Sequence, residues 1–240
     1  QELLDILPEP VVRFLPEMFE SFVSMKIHVL IRFGKWEDIL CEVFPDDAEL
    51  YSYTTAMLRY ARTVALANLG KITEASAEKE RFLAAKKSVQ EDRAVFNNPC
   101  SEILLVAEQM MLGELAYKAG HTNKGLEHLR KSVQLDDELL YDEPWGWMQP
   151  TRHALGALLI DSEFFYEAEA VYRADLGLDN SLPRPSQHPR NVWSLHGLNE
   201  CLEHRGENLE RQLIRQLLDQ ALARAEIPIK ASCYCRSEKK

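Results

Sequence analysis

Apolar positions along this chain recur three and four residues apart, in paired stretches separated by short breaks. The clearest pair lies within residues 141–177. Residues 149–161 carry Ala154, Leu155, Leu158 and Leu159 on one side, the periodicity of an amphipathic helix. Gly156 and Ala157 on the same stretch leave room for another helix to approach closely. Residues 166–176 repeat the signal with Ala168, Val171, Tyr172 and Leu176. Two helices joined by so short a connection lie antiparallel and pack on each other. One face of each stays uncovered, so the hairpin needs neighbours.

The same plan recurs. Residues 58–70 (LRYARTVALANLG) form a first helix and 71–89 its partner. Residues 101–119, with Met111, Leu112 and Gly113, pair with 124–141. Trp193 to Leu198 opens another first helix that closes at Gly206, followed by 208–225. A shorter pair spans 21–34 and 35–43, its first helix expected to run over 17–32. The turns fall at Gly34, Gly70, Gly120, Glu163 and Gly206, at irregular intervals, so the units share a plan and differ in helix and loop length. Phe44-Pro45-Asp46-Asp47, Asn97-Asn98-Pro99 and the proline-rich 180–190 read as loops. The acidic run Asp136-Asp137-Glu138 opposes a helix macrodipole, so that helix ends early or meets a cation.

This pattern resembles the tetratricopeptide repeat family, whose first helix carries W, L-G and Y and whose second carries A, F and A. Leu155-Gly156, Leu159, Ala168 and Tyr172 match in register, with Arg152 standing at the family's Trp position. Trp193 and Gly197 match in the last unit, Leu112-Gly113 and Ala116 in the third (with Gly125 and Leu129 departing), and Ala75 in the second. The run E-P-x-W-x-x-P-x-R-x-x-L-G-A is also similar to poorly characterised microbial members of that family. The resemblance implies an all-α, right-handed α-solenoid of about five degenerate hairpins over 17–226. Residues 1–16, with Pro8, Pro10 and Pro16, are expected to be a linker or the end of a preceding repeat, and 227–240 a tail. Because the sequence begins with Gln, the natural start is expected to lie upstream.

Composition narrows the function classes. A formal charge of −10 disfavours nonspecific nucleic-acid binding, which needs a broad basic face. No apolar run reaches bilayer length, and the expectation is a soluble, cytoplasmic protein with no membrane contact. Five cysteines at irregular spacing match no secreted framework. Cys41 and Cys201 fall on helices, where a free Cys behaves as a small hydrophobe. Cys233-Tyr234-Cys235 reads as two exposed thiols in a disordered tail, or as a redox or soft-metal pair.

In stacked hairpins the first helices line a concave face. The family register places Ser24, His28, Arg32, Tyr60, Asn68, Met110, Glu114, Tyr117, His153 and Ser194 there, a polar and aromatic lining suited to a peptide. His28, Arg32, Tyr60, Glu114, Tyr117 and His153 are therefore the candidate groove contacts. The loop Trp145-Gly146-Trp147 either plugs the space between hairpins, with Arg152 paired to Glu143 or Asp175, or walls a pocket with Glu143. In that pocket Arg152 and Arg173 would meet a carboxylate or phosphate. No phosphate loop, nucleophile elbow or Cys–His spacing appears, so no catalytic residue and no cofactor is assigned. The alternative class, an enzyme or metal-dependent accessory protein, rests on His28, Glu114 and His153 converging on an ion. The favoured reading is a non-catalytic scaffold for a protein or peptide partner.

Overall fold

A computed structural model describes residues 8–236, and these are all-α apart from one two-residue hairpin. Helices α1 (Glu9–Phe14) and α2 (Pro16–Phe19) lead through a 3-10 turn (Glu20–Ser24) into α3 (Met25–Arg32), which pairs with α4 (Trp36–Cys41). Four longer hairpins follow: α5 (Ser52–Asn68) with α6 (Ile72–Lys87), α7 (Cys100–Lys118) with α8 (Thr122–Asp137), α9 (Thr151–Asp161) with α10 (Phe165–Leu176), and α11 (Val192–Arg205) with α12 (Asn208–Leu222). Between α6 and α7, β1 (Ala94–Val95) pairs antiparallel with β2 (Asn98–Pro99), Ala94 opposite Pro99.

Two expectations need correction here. The described part of the proline-rich start, expected to be a linker or the end of a preceding repeat, is helical and not a linker: it forms α1 and leads into α2, with Pro8 as the N-cap of α1 and Pro10 and Pro16 in first turns. A first-turn N–H has no intrahelical acceptor, so nothing is lost. Residues 1–7 of that expected linker lie outside the described residues. The C-terminal segment is not a loose end as far as Arg236. Cys233 and Cys235 are joined by a disulfide, Cys235 and Ser232 are buried, and Ser232 Oγ accepts a 2.6 Å hydrogen bond from the Tyr172 hydroxyl. Residues 237–240 lie outside the described residues. Cys201 is buried as a small hydrophobe would be, whereas Cys41 is exposed.

The five hairpin turns are built alike. Gly34, Gly70, Gly120 and Gly206 have φ of 61°, 76°, 85° and 73°, and Glu163 has φ of 65°. At each, the turn residue's N–H reaches back three residues and the next N–H reaches back five, as in Lys35 N to Leu30 O at 2.9 Å and Phe164 N to Leu159 O at 2.9 Å. That pair of bonds satisfies carbonyls the ending helix leaves free. Helix α8 ends at Asp137, short of Tyr141, the earlier of the two outcomes the acidic run implied.

Internal packing divides the chain after Gln149 into two compact units. In the first unit, first helices α3, α5 and α7 pack in series, while α4 leans on α5 and α6 on α7. In the second, α9 packs on α11 and α10 on α11. Small residues make the contacts close. A Cβ on Gly113 would come within 2.6 Å of Leu129 Cγ, so α7 and α8 meet only because that position is bare. Tyr172, fully buried, inserts its ring between Gly156 of α9 and Gly197 of α11: a Cβ on either would lie 2.4 Å or 2.2 Å from its Cζ.

Candidate functional site

Of the residues assigned to a concave face in the first unit, His28, Tyr60 and Glu114 are buried. After α8 the chain turns back through 138–149, and two side chains of the β-hairpin hold it. Asn98 pairs with the Leu140 backbone at both ends: its Oδ1 accepts from Leu140 N at 2.7 Å and its Nδ2 donates to Leu140 O at 2.8 Å. Asp142, buried, accepts from Asn98 Nδ2 at 2.7 Å and from Asn97 N at 3.1 Å. Gly146 lies against Asn98, where a Cβ would be 2.9 Å from Nδ2. The loop so fixed delivers Trp147 onto the first helices. Its ring stands edge-on to His28 of α3 at 5.1 Å and to Tyr60 of α5 at 5.5 Å, and Gln149 Nε2 donates to His28 O at 3.3 Å.

Trp147, His28, Tyr60 and Glu114 are all 5% exposed or less. Trp147 packs on His28 and Tyr60 and is itself buried, so it walls no open pocket there, and His28, Tyr60 and Glu114 do not form an open lining. Burial alone lowers the His28 pKa to about 4, so the ring is neutral. Burial raises the Glu114 carboxyl to about 7, against a lowering hydrogen bond from Asn68 Nδ2 at 2.9 Å. His28 Nδ1, Tyr60 Oη and Trp147 Nε1 are buried without a hydrogen-bond partner.

The remaining candidates are dispersed. Arg32 and Tyr117 are half-buried in the first unit. Trp145 and Glu143 are exposed, and Glu143 accepts a hydrogen bond from the Tyr141 hydroxyl. In the second unit Arg152 is half-buried. Arg173 does not offer its guanidinium to a ligand as expected: Nε bonds Glu169 at 2.7 Å and Nη2 bonds Glu210 at 2.6 Å.

His153 is also committed elsewhere. Its Nε2 lies 3.0 Å from Asp175 Oδ2. Asp175 is fully buried and also meets His188 Nδ1 at 2.7 Å, Asn191 Nδ2 at 2.8 Å and Ser194 Oγ at 2.5 Å. Burial pushes the Asp175 carboxyl up, but the charge and hydrogen bonds of His153 and His188 outweigh it and hold the group well below the usual carboxylate range. Ser194 donates to the carboxylate, not to an imidazole, so the trio lacks the nucleophile-to-base bond of a hydrolase. It ties α10, the 180–190 loop and α11 together. The proposed ion site fails as well. Among the described residues no three His, Cys, Asp or Glu side chains could hold a metal ion. Instead His28 packs on Trp147, Glu114 bonds Asn68 and His153 bonds Asp175.

Above the plug the first unit presents a different surface. Phe96, Leu140, Tyr141 and Trp145 are 41–59% exposed and belong to the two loops that Asn97, Asn98 and Asp142 lock together. Sequence reasoning read the Asn-Asn-Pro run only as a turn and missed this clamp. A pair of amides in a loop facing an acidic loop was the available signal. Comparison with protein families, with characterised proteins and with solved structures returned no match to this chain.

Proposed function

We propose that the chain is a tetratricopeptide-like repeat protein, a right-handed α-solenoid of five hairpins, and that it serves as a non-catalytic scaffold for a protein or peptide segment. The repeated turn geometry and the first-helix-to-first-helix packing within each unit support the repeat reading. The observation that carries the functional one is the exposure of Phe96, Leu140, Tyr141 and Trp145 on two loops joined by the hydrogen bonds of Asn97, Asn98 and Asp142. Large apolar side chains cost free energy in water, and a contiguous group of them marks an interaction surface. The clamp beneath keeps these loops ordered, so a partner is met by a preformed surface and less ordering entropy is lost on binding. The partner site thus moves from the buried groove lining to the loops covering it.

The test is selection of peptides from a random displayed library on the full chain. Selected peptides are expected to bind the parent and to lose at least tenfold in affinity on the Tyr141→Ser, Trp145→Ser double variant. Peptides that bind the double variant unchanged would refute the assignment. That no helix among the described residues is long and apolar enough to cross a membrane is consistent with such a role.

A further inference from the structure

The second unit contains a cavity of about 660 Å³ bounded by α11, α12 and the segment 230–236. Its volume is in the range of small-molecule sites. Four cations line it, Arg211 and Arg215 from successive turns of α12 and Lys230 and Arg236 from the C-terminal segment, against two carboxylates, Glu200 and Glu203. Arg215 Nε bonds Asp219 at 2.8 Å, which leaves its two Nη groups for the cavity, and among the described residues Lys230 makes no ion pair, unlike Arg211, Arg215 and Arg236. The apolar part of the lining comes from the same two elements: Leu218 and Leu222 continue the α12 face that carries Arg211 and Arg215, and Tyr234 lies between Lys230 and Arg236.

Two further observations make this a built site. Asn199, on the α11 wall, is 7% exposed and its Oδ1 has no hydrogen-bond partner. One turn earlier, His196 Nδ1 is likewise buried without a partner. A buried acceptor without a donor costs about 1–3 kcal/mol, and a ligand N–H or O–H would recover it. The C-terminal wall is also preformed. Arg236 Nη1 bonds both Glu200 oxygens at 2.7 and 2.8 Å, and Tyr234 stands edge-on to Trp193 at 5.9 Å. Arg211 places one nitrogen 2.8 Å from Glu203; a guanidinium has five donors, so most remain for another anion.

We infer that this cavity binds a small organic anion: a phosphate or carboxylate held by Arg211, Arg215 and Lys230, on an aromatic body that packs against Leu218, Leu222 and Tyr234 and carries a donor for Asn199. The inference uses other residues than the proposed partner surface and stands or falls separately.

Titration calorimetry of the full chain at low salt, with amide NMR mapping, tests it. The probes are 4-aminophenyl phosphate, 4-aminobenzoate, inorganic phosphate and aniline. One of the two aromatic anions is expected to bind one-to-one in the millimolar range or tighter, at least tenfold better than inorganic phosphate, and to shift amides of α11, α12 and 230–236. Which of the two binds tells phosphate from carboxylate. Arg215 and Lys230 are exposed, so the Arg215→Gln, Lys230→Gln variant is expected to keep its unfolding midpoint and lose tenfold or more in affinity. Asn199→Leu is expected to erase the advantage of 4-aminophenyl phosphate over phenyl phosphate. Absence of one-to-one binding, aniline binding as well as the anions, or undiminished binding by the Arg215, Lys230 variant would each overturn the inference.

Discussion

Replacing Glu114 by Gln should stabilise the first unit at neutral pH and expose an acid sensitivity that Glu114 masks. Glu114 sits in the core at 2% exposure, and burial lifts its carboxyl from 4.5 to about 7. The folded state therefore holds a proton that the unfolded chain gives up. Its contribution is fully present below pH 4.5 and is lost as pH rises to about 7. At roughly 1.4 kcal/mol per pH unit, that loss is about 3 kcal/mol. His28 behaves oppositely. Burial lowers it from 6.5 to about 4, so its contribution is present above pH 6.5 and is lost, again by about 3 kcal/mol, as pH falls to about 4. Between pH 4.5 and 6.5 the two slopes oppose each other, and the parent shows little net dependence from this pair.

Glu114→Gln keeps an acceptor for Asn68 and removes the proton exchange. It should match the parent near pH 4.5 and exceed it by about 3 kcal/mol at pH 8. Its own stability should fall on acidification from pH 7 to 4. His28→Gln should show the mirror image, with a stability that climbs as pH falls. Urea unfolding followed by tryptophan fluorescence reads this out, since Trp36, Trp145 and Trp147 of the four tryptophans lie in the first unit. Differences between variant and parent at each pH cancel the other titrating groups. If the difference for Glu114→Gln is the same at pH 4.5 and pH 8, Glu114 does not titrate as its burial requires and the argument fails.

Three other changes probe the frame. Gly197→Ala puts a methyl 2.2 Å from Tyr172 Cζ and should cost the second unit about 3 kcal/mol, measured by urea unfolding; a cost under 0.5 kcal/mol would mean the α10–α11 contact is looser than described. Glu163→Gly removes a side chain from an exposed position at φ 65°. Relief of about 1–2 kcal/mol of left-handed strain, less the greater chain entropy of glycine, should raise stability by about 0.5–1 kcal/mol, seen as a higher melting temperature. Asp175→Asn leaves His153 and His188 without their carboxylate and should destabilise by about 3 kcal/mol. That penalty should be full above the ordinary carboxyl value of 3.8 and shrink as pH falls below it, since the unfolded chain then takes up a proton that the folded Asp175 refuses, checked by denaturant titration across pH.

What the sequence disclosed and what it withheld divide by range of interaction. The hairpins and their turns depend on residues within a few positions of each other, and all five turns adopt the left-handed conformation at Gly34, Gly70, Gly120, Glu163 and Gly206. Even Glu163 was legible, because the flanking helices left only that position for the reversal. A close helix approach at Gly156 was legible, but that the ring of Tyr172 fills it, together with Gly197 of the next hairpin, was not. The candidate site depends on distant residues. Helical register selects His28, Tyr60 and Glu114 as one set of first-helix positions, but register says nothing about what covers them, and all three are buried. The cover is set by Asn98 bonding Leu140 and Asp142, more than forty positions away, and neither loop has a periodicity to read. Arg173 shows the same limit. A guanidinium on a helix looks available until Glu210 from the next hairpin takes it. In a chain of helical hairpins, the local pattern therefore specifies the frame. Irregular segments between hairpins decide which framed surfaces stay open, and here one of them packs Trp147 on His28 and Tyr60 while Phe96, Leu140, Tyr141 and Trp145 stay exposed.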